Sequence, residues 1–148
     1  MNWKLLNTAL SQIGTKETVG KLHNPEVLKY FVDIGHSWVK DDETAWCSAF
    51  VNWVVYETNS KYQTDFPKSD KLNARSWLNV GHKVSKPEIG DIVVLWRSSR
   101  TSWKGHVGIF VRETPNWIYI LGGNQGNKVS IQAYRKNRLL EYRRLTTH

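Results

Sequence analysis

The spacing of apolar residues changes character near Gly81. Before it the period is helical, and after it the period is that of strands. Helices first and strands afterwards give an α+β chain, in which helices pack on an antiparallel sheet. Leu5, Leu6, Ala9 and Ile13 share one face of a helix expected from Trp3 to Ile13, broken at Gly14. Asn24 and Pro25 have the form of an N-cap and first helical residue. Val27, Leu28, Phe31 and Val32 supply that helix with its stripe, and Gly35 ends it. A third helix is expected from about Ala45 to Glu57. It is apolar around most of its circumference, which marks a buried helix. Ser69 to Leu78 reads as a short fourth helix. Five strands follow, at Ile92–Trp96, His106–Arg112, Trp117–Leu121, Lys128–Gln132 and Leu139–Leu145.

The 148 residues suit a single domain spanning 1–148, long enough to bury a core without staples. Eight Trp, six Tyr and four Phe provide bulky material for it. One cysteine cannot form an internal disulfide, so the fold does not depend on an oxidising compartment. No H-x-x-x-H or C-x-x-C spacing occurs, so neither a zinc site nor any cofactor is expected. No apolar run approaches the roughly 18 residues of a membrane span. Met1 to Leu6 lacks the pattern of a signal peptide, so action outside the cytoplasm would need another carrier. The net charge of +8 draws the chain toward anionic polymers, nucleic acid or bacterial cell wall among them. No nucleic-acid motif accompanies that charge.

The lone cysteine stands at the start of the third helix, in Ala45-Trp46-Cys47-Ser48-Ala49-Phe50. A thiol there meets unpaired N–H groups and the positive end of the helix dipole, which favour the thiolate. The competing role is that of a small buried hydrophobe. His106 follows on a strand, in Gly105-His106-Val107-Gly108. Gly105 and Gly108 have no side chains, so a substrate can approach that strand closely. His23, His36, His82 and His148 lie in loops or at element ends. A turn, Gly122-Gly123-Asn124-Gln125-Gly126, follows the next strand. Cysteine, histidine and then a polar residue is the order of parts in a cysteine hydrolase. Asn124 is the first candidate to orient the imidazole, with Gln125 its rival. Glycine and asparagine also mark turns for backbone reasons alone.

Asp41, Asp42 and Glu43 precede the cysteine as capping residues or as a contact for a substrate amine. Ser48 lacks a nucleophile elbow and is read as a packing or hydrogen-bonding residue. The tryptophans either line a groove or fill the core. Trp53 and Trp96 read as core, and Trp103, in the polar loop before His106, as exposed near the site.

The blocks Ala45-Trp46-Cys47-Ser48-Ala49-Phe50-Val51, Gly90-Asp91-Ile92-Val93-Val94-Leu95, Gly105-His106-Val107-Gly108-Ile109-Phe110 and Gly122-Gly123-Asn124-Gln125 resemble the NlpC/P60 and CHAP superfamily. So does Ala74-Arg75-Ser76-Trp77-Leu78. The resemblance implies a papain-like fold and a peptidoglycan hydrolase that cuts an amide of cell-wall stem peptides, as endopeptidase or amidase. It implies Cys47 as nucleophile, His106 as base and Asn124 as orienter, with Trp46, Ser48, Trp103, Gly105 and Gln125 as substrate contacts. Peptidoglycan is then the expected partner of a monomeric enzyme that binds no nucleic acid. A phage lysin released through a holin and an effector delivered by a secretion system, blocked by an immunity protein, both fit. A non-catalytic wall- or glycan-binding module on the same fold is the alternative.

Overall fold

The computed structural model describes residues 1–15, 25–33, 35 and 45–147. Helix α1 (Trp3–Leu10) is capped by Asn2, whose side-chain oxygen accepts from the Leu5 N–H at 3.3 Å. Leu5, Leu6 and Ala9 enter the core as their spacing requires. The helix stops a turn earlier than expected, and Ile13 is exposed. The Ser11 hydroxyl binds the Thr8 carbonyl at 2.6 Å, and the Gly14 N–H turns away to Val129. Both compete with helix continuation. Helix α2 (Pro25–Val32) begins at the proline and buries Val27, Tyr30 and Phe31. The cap assigned to Asn24 lies outside the described residues.

Helix α3 (Ala45–Tyr62) continues past Glu57, where it was expected to end. It packs against α1 and α2 on one side and against the sheet on the other. Residues Trp46 through Val55 are all buried, so its apolar residues surround it. Its buried polar residues have fixed tasks. The Ser48 hydroxyl donates to the Lys71 carbonyl at 2.6 Å and accepts from the Trp77 indole at 3.1 Å. Asn52 donates to the same Lys71 carbonyl at 3.0 Å and accepts from the Asp70 N–H at 3.0 Å. Thr58 binds Thr8 at 2.8 Å and so ties α3 to α1. These bonds also hold the loop that leads to a 3-10 helix at Ala74–Asn79, the expected fourth helix in tighter form.

Among the described residues the sheet has six strands, one more than expected: β1 (His82–Val84), β2 (Ile92–Trp96), β3 (Gly105–Glu113), β4 (Trp117–Gly122), β5 (Ser130–Arg135) and β6 (Leu139–Arg144). Their order is β1-β6-β2-β3-β4-β5, and every pairing is antiparallel. The added strand is a three-residue edge paired to β6, too short to show alternation in the sequence. The expected strand at Lys128–Gln132 begins instead at Ser130. Val129 is buried and bonded to the Thr15 carbonyl at 2.8 Å. Ile92, Val94, Val107, Ile109 and Leu121 face the helices. Val93, Leu95, Phe110, Ile118, Ile120 and Tyr142 form a second cluster. Alternate residues of β2 thus serve both clusters, which is why it reads as an unbroken apolar run. Register shifts at Val94/Leu95 and Phe110/Arg112 increase the local twist.

The turn into β2 leaves no room for a side chain at Gly90. Its φ is +94°, and a Cβ there would lie 2.5 Å from the Asn2 carbonyl oxygen. Gly90→Ala is therefore expected to lower the free energy of unfolding by about 1–3 kcal/mol. Equilibrium urea denaturation followed by tryptophan fluorescence measures it.

Candidate active site

Cys47 is the third residue of α3, within the turn whose N–H groups lack intrahelical acceptors. Its capping residues as read from the sequence, Asp41, Asp42 and Glu43, lie outside the described residues. The thiol is buried at 2% exposure. His106 is the second residue of β3, opposite Leu95 of β2, and 7% exposed. The glycine pair after β4 links the two elements. A Cβ on Gly123 would lie 2.8 Å from the Phe50 Cβ and 2.9 Å from the Trp46 ring. A Cβ on Gly122 would lie 2.7 Å from the Gln125 Oε1 and 3.5 Å from the His106 Nε2. The start of α3 and the edge of the imidazole therefore approach the same stretch of backbone.

The imidazole is oriented by Gln125, at 2.9 Å between Nε2 and Oε1. The Gln125 amide nitrogen donates to the Ile120 carbonyl at 3.0 Å and the Ser130 carbonyl at 2.7 Å. Both of its N–H bonds are thus committed to oxygens, and only the amide oxygen is left to face the ring. A neutral His106 must then carry its proton on Nε2. Nδ1 is the basic nitrogen.

The contact that sequence reasoning gave to Asn124 is therefore made by its neighbour. Asn124 has a left-handed backbone, φ +57°, and lines a cleft beside the imidazole. Asn127 and Gly126 also have positive φ. The turn's backbone decides which amide points inward, and the residue types alone do not.

Burial holds the His106 imidazolium well below the ordinary value near 6.5, down to about 4. The Gln125 bond opposes that shift, and the nearby positive charges of Arg138 and Arg97 add to it. Tyr134, on β5, was not singled out in the sequence. Its hydroxyl lies 3.3 Å from the His106 Nε2, and the two rings are 5.2 Å apart. Burial pushes its phenol up to about 12. Arg138 acts against that rise, and the charge of Cys47 adds to it. The sulfur thus acts on the same hydroxyl that touches the imidazole.

The remaining candidates separate by burial. Trp46, Ser48 and Gly105 are buried, as Cys47 itself is. At Gly105 a Cβ would meet the Leu95 carbonyl at 2.8 Å, so its missing side chain serves strand packing. Trp103 is 65% exposed, as its polar loop implied. That loop is held by Arg75, which donates to the carbonyls of Ser99 at 2.9 Å, Arg100 at 2.6 Å and Lys104 at 2.8 Å. Among the described residues, no three His, Cys, Asp or Glu side chains converge as metal ligands. No helix among them is long and apolar enough to cross a membrane.

Residues 39–124 match the family model of the CHAP domain. No curated protein matches the chain. Among solved structures, it is similar to a Staphylococcus aureus protein described as similar to lipoprotein, NLP/P60 family. The TM-score is 0.42 at 16% identity, with 86% of this chain and 44% of that chain covered. The chain spans less than half the length of that protein.

His106 carries a signature in stability. Its proton affinity is lowered by folding, so between pH 6.5 and about 4 the unfolded chain binds the proton and the folded chain does not. Its stabilising contribution is complete above pH 6.5 and lost as pH falls through about 4. Urea unfolding across that window should show a loss of up to about 3 kcal/mol that is missing in His106→Gln.

Proposed function

From the membership of this chain in the CHAP domain family, we propose that it is a peptidoglycan hydrolase cutting an amide bond of cell-wall stem peptides through a Cys47–His106 thiol mechanism. The observation that carries this reading is the anchored Gln125 amide. Its bond to Nε2 leaves Nδ1 as the nitrogen able to take a proton from a thiol.

The chemistry follows from the environment of each group. Burial disfavours a standing imidazolium, so His106 rests neutral at neutral pH and is open to a proton. Proton transfer to Nδ1 accompanies the attack of the sulfur on the amide carbonyl. The imidazolium then protonates the departing amine, and the acyl group remains on Cys47 as a thioester. His106 next takes a proton from water as the water oxygen bonds to the acyl carbon, the carbon–sulfur bond breaks, and the imidazolium returns the proton to the Cys47 sulfur as the carboxylic acid is released. The N–H of Cys47, without an intrahelical acceptor, is one donor to the oxyanion. Gln125 is the positioning residue here, in place of Asn124. The net charge of +8 favours encounter with a wall rich in carboxylates and phosphates.

Purified sacculi provide the test. Wild-type protein should release new amino groups from them, and Cys47→Ala should release none while keeping its circular dichroism spectrum. Sacculus binding without release by the wild type would instead identify a non-catalytic wall-binding module. Gln125→Ala should lower kcat by about 10²-fold through a misplaced imidazole. Asn124→Ala should cost far less, and muropeptide mass spectrometry would identify the amide that is cut.

A further inference from the structure

A cleft of about 220 Å³ opens beside His106. Arg97 enters it from the end of β2 and Arg138 from the turn before β6, with Asn124, Asn127 and Tyr134 completing the wall around the imidazole. Arg138 is held in place. Its Nε donates to the Trp96 carbonyl at 3.2 Å, and its guanidinium lies 5.4 Å from the centre of the Tyr134 ring. Arg97 is different. Among the described residues its half-buried guanidinium has neither an acidic partner nor a hydrogen bond. The described lining contains no carboxylate. Two guanidinium groups thus share one small concavity without an anion, and both act on the adjacent imidazole.

We propose that this cleft binds a carboxylate on the residue of the substrate that supplies the leaving amine, with Arg97 and Arg138 as its charged partners. The placement rests on the hydrolase reading above. In that reading the imidazole hands its proton to the departing amine, so the amine nitrogen stands at His106. The cleft is bounded by the same ring, so a group carried next to that amine is the part of the substrate within reach. The forked donors of arginine match the two oxygens of a carboxylate, and side-chain amides can donate alongside. The wall peptide would therefore be read by charge on the amine side of the cut bond.

The test uses two synthetic stem peptides that differ only in the amine-side residue, a free carboxylate in one and a carboxamide in the other. Wild-type protein is expected to cleave the acid with a kcat/KM about tenfold above that of the amide. In Arg97→Met the acid-to-amide ratio should fall toward one, and Arg97→Lys should restore part of it. Equal cleavage of the two peptides by the wild type, or an undiminished ratio in Arg97→Met, would overturn the anion site and leave the hydrolase reading standing. Failure of the wild type to cut either peptide or sacculi would overturn both.

Discussion

Everything at the site depends on one side-chain amide that has no freedom left. Gln125 gives both N–H bonds to backbone carbonyls, one on β4 and one at the start of β5. Its oxygen then has a single direction, toward His106. The same amide at 2% exposure could not leave those bonds unmade without the cost of desolvated donors. The tautomer of the imidazole is thereby set by the hairpin and not by the histidine's own surroundings. A rigid hairpin turn becomes the device that decides which nitrogen is basic.

Helix α3 performs two tasks that normally compete. It is the central packing element, apolar around its girth, and its first turn carries the thiol. Burial of a cysteine by itself favours the neutral thiol, whereas the open N–H groups of the first turn favour the thiolate. The buried imidazole also resists charge. The imidazole is thus held neutral at neutral pH. Ser48, the residue after Cys47, and Asn52, one turn beyond Ser48, spend their polarity on the Lys71 loop and keep the helix in position. Gly122 and Gly123 allow the closeness, because any side chain on them would push the helix or the glutamine away.

Much of this was legible in the sequence because it is local. Helical and strand periods are properties of neighbouring residues, so the division near Gly81 and five of the six strands could be read directly. The positions of the candidate residues Cys47 and His106, on a helix start and a strand, were legible for the same reason. Errors gathered where a single residue's direction mattered. Gly105 reads as an opening for substrate, yet its space is filled by the Leu95 carbonyl.

By itself the sequence determined an α+β chain with its thiol at a helix start and its imidazole on a strand, since capping, periodicity and strand propensity act over a few residues. Tertiary structure alone decided that Gln125 and not Asn124 meets the ring. It alone brought Tyr134 to that ring and set Arg97 and Arg138 around one cleft. Positive φ values in the turn choose which side chain faces inward, and strand register chooses which distant residues become neighbours. Neither quantity is written in the identity of any single residue.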